Sequence, residues 1–172
     1  RWTLERVWPD SLPLGMAYGG PLFFSHYSFL GLDPRGLSDR YASYWEQNRA
    51  HTLVNYRYCV RNPEGHAGYG PRSWGLTASD TFDGYAAHSP TEDRGVISPT
   101  AALSAFPYTP AESMAALRHF HDDLGARLFG PHGFRDAFCP DRDWFATSTL
   151  AIDQGPIVVM IENHLSCLLW RL

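Results

Sequence analysis

The chain is short of charge and of the local signatures that announce a chemistry. Only 19% of its 172 residues are charged, the formal net charge is −4, and no run of Lys or Arg occurs. Nucleic acid and anionic membrane surfaces are held by clustered positive charge, so the balance argues against both partners. No apolar stretch approaches the roughly 20 residues that cross a bilayer, so no membrane span is expected. The three cysteines, Cys59, Cys139 and Cys167, contain no CxxC pair. That leaves no disulfide framework and no zinc site, and three buried thiols are expected. There is no HExxH or comparable metal pattern, so neither a metal nor another cofactor is expected. Ser28, Ser79 and Ser148 lack a GxSxG elbow, which leaves a serine hydrolase unsupported. Gly19-Gly20-Pro21 is too short a glycine signal for a phosphate loop.

What is present is apolar and aromatic: 44% hydrophobic residues, with 15% aromatic. Such a composition suits one dense core or a set of platforms for sugar rings. Leu22 to Leu30 reads as a short buried helix stopped near Gly31 and Asp33-Pro34. Ser38 to Arg61 reads as a long helix with Ser38 as N-cap. Its stripe Tyr41, Trp45, Asn48, Thr52, Tyr56 and Cys59 recurs at helical spacing but carries polar groups. Residues 62–95 read as a long functional loop with one short helical turn. Ser98-Pro99 opens a short helix through Leu103. Thr109-Pro110-Ala111-Glu112 has the form of a capping box with proline at the first helical position. A last helix from about Gln154 to Ser166 is apolar on nearly every side, as in the inner layer of a large helical domain. No hairpin or βαβ signal stands out, so the fold class expected is all-α.

The informative chemistry lies in irregular segments. Trp74-Gly-Leu-Thr-Ala-Ser-Asp80 with Asp83-Gly84-Tyr85, then Phe134-Arg135-Asp136-Ala137-Phe138, then Ala151-Ile152-Asp153-Gln154-Gly155-Pro156 crowd acids beside aromatic rings. Hydrolysis of a glycosidic bond needs two carboxyl groups in different environments, one protonated and one ionised. Asp80, Asp136, Asp153 and Glu162 are the acids in apolar or aromatic surroundings. For Asp136 two readings stand: a catalytic carboxylate, or a surface residue paired with Arg135. Asp80 fits a sugar hydroxyl or a local turn. Asp153 is placed to cap the last helix. Glu162, on the face of Val158, Val159 and Leu165, needs a partner or a cavity, because a bare buried carboxylate is too costly. Trp74, Tyr85, Phe138 and Trp144 are the candidate stacking platforms.

Together with Pro21-Leu-Phe-Phe-Ser-His-Tyr-Ser-Phe-Leu-Gly31, Tyr44-Trp45-Glu46-Gln47-Asn48, Phe106-Pro-Tyr-Thr-Pro110 and Ile161-Glu162-Asn163, these segments resemble the glycoamylase-like domain of glycoside hydrolase family 144, the bacterial endo-β-1,2-glucanases. A related domain occurs in cyclic β-1,2-glucan synthases. The resemblance runs through nearly the whole chain in unbroken order. It implies an (α/α)6 barrel, hydrolysis of β-1,2-glucan with inversion and without metal, and a periplasmic or secreted location. A twelve-helix barrel needs well over twice this length, so residues 1–172 would be roughly the C-terminal portion of one catalytic domain, with the remainder of that domain as partner. The resemblance places the general acid on a glutamate of the earlier half and the base-side carboxylate on Asp136. Trp74, Asp80, Tyr85, Phe138, Trp144, Asp153 and Glu162 are then expected along the glucan. The chain departs from the family pattern at Leu165 and Cys167, where arginine and glycine stand, and at Cys139, where a polar residue stands. A transglycosylase and a non-catalytic glucan-binding module are the alternatives.

Overall fold

The computed structural model describes residues 5–7 and 10–172, with side chains from Leu12 onward. β1 (Glu5–Val7) and β2 (Asp10–Leu12) pair antiparallel. α1 (Phe23–His26) runs directly into a 3-10 turn at Tyr27–Phe29, as the aromatic run at 22–30 leads one to expect. α2 (Tyr44–Arg61) is the longest helix described. It begins at Tyr44 instead of Ser38 because Asp39 folds the backbone on itself. Its carboxylate accepts the N–H groups of Tyr41 (2.8 Å) and Ala42 (3.0 Å) and the Tyr44 hydroxyl (2.9 Å). Such local side-chain bonds offer the chain an alternative to helix. α2 stops at Asn62, whose φ of 48° lies in the left-handed region that asparagine tolerates.

β3 (Ala78–Thr81) and β4 (Gly84–Ala87) form an antiparallel hairpin that directly opposes Asp80 and Tyr85. α3 (Pro99–Leu103) and α4 (Pro110–Arg118) begin at prolines, whose missing N–H costs nothing in a first turn. The Thr109 hydroxyl donates to the Ala105 carbonyl, so no capping box forms with Glu112. Two very short ribbons follow, β5 (Phe129–Gly130) with β6 (Gly133–Phe134) and β7 (Phe138–Cys139) with β8 (Trp144–Phe145). The fold is therefore mainly helical but not purely all-α. α5 (Ala151–Ser166) starts three residues before the position read from the sequence. It is also not buried all round, since Ile152, Val158 and Leu165 are exposed.

The main core joins Leu22, Cys59, Trp74, Leu76, Ile97, Leu103, Phe120, Phe138 and Ile157. Gly75 lets the 74–77 segment lie on α3: its φ is 128°, and a Cβ there would fall 2.9 Å from the Ala101 methyl and 3.0 Å from the Ser98 carbonyl. Polar side chains then stitch irregular backbone onto the helices. Asn55 of α2 exchanges two 3.0 Å bonds with the main chain of Leu76. Gln47 does the same for Leu14 (3.1 and 2.9 Å), and Gln154 of α5 for Phe134 (3.0 and 2.9 Å). Each amide presents one donor and one acceptor, so it replaces a neighbouring strand for one residue. The polar members of the α2 stripe do other work: Asn48 donates to the Tyr108 hydroxyl at 3.2 Å and Thr52 to the Asn48 carbonyl of its own helix at 2.9 Å. Cys59 and Cys139 are buried, whereas Cys167 is half-exposed, so the third buried thiol is not found.

Candidate active site

Three aspartates converge from three elements. Asp80 stands on β3, Asp136 on the segment before β7, and Asp153 in the first turn of α5. Asp136 and Asp153 are each 1% exposed. The Asp80 N–H donates to Asp136 Oδ2 at 2.6 Å, and the Ser148 hydroxyl donates to Asp80 Oδ2. The first turn of α3 fixes the other two backbones. Ser98 Oγ donates to the Asp136 carbonyl (2.9 Å) and Thr100 Oγ1 to the Asp153 carbonyl (2.8 Å). Ser98-Pro99-Thr100 thus starts a helix and anchors both acids.

Arg135 donates to the Thr147 carbonyl at 3.0 Å, and the partners of the Asp136 carboxyl lie elsewhere. Asp153 does not cap its helix. Leu150 holds the capping position, and the Asp153 side chain turns inward, where the Tyr27 hydroxyl donates to Oδ1 at 3.4 Å. Asp136 Oδ1 and Asp153 Oδ2 are buried without a donor of good geometry. The two carboxyls act on each other across this gap. Burial and then the Asp136 charge push Asp153 up to about 7. Burial also raises Asp136, but the Asp80 N–H opposes it. One proton held by Asp153 and directed at Asp136 satisfies both orphan oxygens, because adjacent carboxylates do not both ionise readily. Both carboxyls thus hold a proton more readily than an ordinary aspartate, and the two titrate as one unit.

Tyr85, 60% exposed, lies near the three acids. Its hydroxyl pKa is raised by burial first and then by the charges of Asp153, Asp136 and Asp80. It is the aromatic face open to a ligand there. Three of the other aromatic or acidic choices fall elsewhere. Trp74 is fully buried, edge-on to Tyr56, so neither ring face is free for a sugar. Phe138 is 1% exposed and stacks on Phe145 in the core. Glu162 is half-buried and accepts the Ser166 hydroxyl one turn along α5. Trp144 is half-buried and meets Phe82 edge-on at 6.4 Å. Tyr27 and Ser148 belong to the cluster but were not singled out from the sequence. Tyr27 sits in an aromatic run that reads as core, and Ser148 in an irregular stretch with no periodicity. Among the described residues no group of three or more His, Cys, Asp or Glu is placed to hold a metal ion.

Residues 6–172 match the model of the Glycoamylase family of glucoamylase-like proteins. The chain belongs to this family. This Glycoamylase-family chain is 47% identical, over 165 residues, to an exo β-1,2-glucooligosaccharide sophorohydrolase (non-reducing end) of Parabacteroides distasonis, covering 95% of the chain and 23% of that protein. The endo-β-1,2-glucanase of Chitinophaga pinensis, solved with sophorotriose and glucose, superposes with a TM-score of 0.94 at 52% identity. That match covers 98% of the chain and 42% of the solved structure. The β-1,2-glucanase of Parabacteroides distasonis superposes with a TM-score of 0.95 at 45% identity, covering 97% of the chain and 24% of that structure. The chain therefore spans from under a quarter to about two fifths of the length of these relatives.

Proposed function

We propose that the full-length protein hydrolyses β-1,2-linked glucan, with Asp136 as the carboxylate that activates water and Asp153 as the proton holder that keeps Asp136 correctly charged. The observation that carries this reading is the buried Asp136–Asp153 pair, with one oxygen of each lacking a donor, beside exposed Tyr85. A carboxylate with a lone pair left over is a base, and a ring beside it suits the apolar face of a sugar. Asp80 both tunes Asp136 through its N–H and offers a carboxylate to a sugar hydroxyl. Inversion needs a second carboxyl roughly 6.5–9.5 Å away, with room for water between. Asp136 and Asp153 share one proton and count as one partner, so the general acid comes from outside this chain.

The finer reading places residues 1–172 as the C-terminal portion of an (α/α)6 barrel of glycoside hydrolase family 144, in a periplasmic or secreted protein. The exposed apolar residues Val158 and Leu165, on one face of α5, support it, because an uncovered apolar face suits further helices of the same domain. The test incubates the full-length protein with linear β-1,2-glucan and reads the products. Short oligosaccharides with inverted anomeric configuration are expected. Cyclic products would make it a transglycosylase, and binding without turnover would make it a glucan-binding module.

A further inference from the structure

The β3–β4 hairpin carries Asp80 and Tyr85 to the acid cluster, yet it is a two-stranded ribbon, a structure of marginal stability by itself. Its turn residues, Phe82 and Asp83, are held by two arginines from separate loops. The Arg142 guanidinium lies over the Phe82 ring with its carbon 3.8 Å from the ring centre, and that of Arg94 lies at 4.9 Å. Arg94 also donates to Asp83 Oδ2 at 2.6 Å, and Thr81 Oγ1 donates to the other Asp83 oxygen at 2.5 Å. Phe82 packs on a small second core of Val96, Ala137 and Cys139, with Trp144. Residues 136–139 therefore meet the hairpin twice: at Asp80, whose N–H reaches Asp136, and at Phe82, two residues on.

From this juxtaposition we infer that Phe82, gripped by Arg94 and Arg142, is a positioning device that keeps the Asp80 N–H on Asp136 and so sets the charge state of that carboxylate. The guanidinium planes give the tip both a cation–π attraction and planar stacking, of which an ammonium keeps only the first. When the anchor is lost, the ribbon frays from its tip and Asp136 Oδ2 loses its donor. Burial then acts on Asp136 with only the Asp153 hydrogen bond left to oppose it, and its carboxyl holds a proton to higher pH. The titratable groups facing Asp136 are Asp80 on β3, Tyr85 on β4, Asp153 on α5 and Tyr27 after α1. None of them replaces that N–H.

This inference rests on the proposed hydrolysis for one readout and is independent of it for another. In the full-length protein, Arg142→Ala with Arg94→Ala should speed amide hydrogen exchange across residues 79–86 about tenfold or more. The acidic limb of the kcat profile should rise by about one pH unit, with KM little changed. Arg142→Lys should recover only part of either, since it keeps a cation over the ring without the stacked plane. Arg142→Gln, which keeps a flat group on the ring, is the milder variant should the double change fail to fold, and it should shift both readouts in the same direction by less. Unchanged exchange and an unchanged limb would overturn the inference. So would a lower melting temperature with the limb in place, since that marks a purely structural contact. Faster exchange in a protein with no glucan hydrolysis would uphold the anchor and remove the catalytic reading.

Discussion

The interior holds two kinds of buried polar group, and they are treated in opposite ways. Where Asn55, Gln47 and Gln154 meet loop backbone, each amide pairs an N–H and its oxygen with one residue and the bonds lie near 3 Å. Where Asp136 and Asp153 meet, two buried oxygens are left over. The first region is a scaffold, because satisfied polar groups cost little and fix one geometry. The second retains unused proton affinity at a place that an exposed ring adjoins. Unpaired buried atoms also occur at His26, Ser73 and His88, so an open bond reads as a site only where acids converge on it, as at Asp136 and Asp153.

The largest break in that comparison is expected from Asp136→Asn in the full-length protein. It removes the carboxylate but keeps its shape, so kcat should fall by about 10²–10⁴-fold while the melting temperature holds or rises. Loss of fold with unchanged specific activity would reverse the assignment. Next in size is the contrast between two aromatic residues. Trp74→Ala should cost about 3–5 kcal/mol by denaturant unfolding, as a fully buried ring does. Tyr85→Ala should leave stability within about 0.5 kcal/mol and raise KM by about tenfold, a shift that corresponds to about 1.4 kcal/mol. Asn55→Ala should cost about 1–3 kcal/mol, because the N–H of buried Leu76 loses its partner while its C=O keeps only the Leu22 N–H. Its kcat, measured on the folded fraction, should stay within about twofold of wild type, which separates scaffold from site. Smallest is Cys167→Gly. Cys167 ends α5 with φ of 58°, in the left-handed region where glycine is unstrained, so a gain of about 0.5–1 kcal/mol in unfolding free energy is expected.

Much of the scaffold was legible in the sequence. Ser98-Pro99 and Thr109-Pro110 mark true helix starts, whereas the loop-holding Gln47 and Asn55 lie off the stripe read along α2. Glycine where the family pattern has it at position 167 matches the left-handed backbone found there. The β3–β4 hairpin was not legible: Ala-Ser-Asp-Thr and Gly-Tyr-Ala-Ala lack the β-branched alternation that announces strands. In the site, Asp80 and Asp136 were picked out because they break apolar segments. Asp153 looked like a cap, since an acid near a helix start serves either purpose and only the helix boundary decides between them. Trp74 looked like a platform because irregular backbone has no period to say which side a ring faces. Tyr27 was hidden among neighbours of its own kind.

The proton shared by Asp136 and Asp153 is the central claim, and its pH dependence has a definite sign. The folded state holds Asp153 protonated up to about 7 against an ordinary value of 3.8. Its contribution to stability is therefore fully present below about pH 4 and is lost as pH rises through about 7. The direct measurement is a carbon-13 NMR titration of the aspartate carboxyls in the full-length protein, with Asp153 assigned through Asp153→Asn. The expected result is a carboxyl that titrates near pH 7 and moves down in Asp136→Asn, where the neighbouring charge is gone. An Asp153 carboxyl that titrates near pH 4 in both proteins would contradict the shared proton and the site built on it.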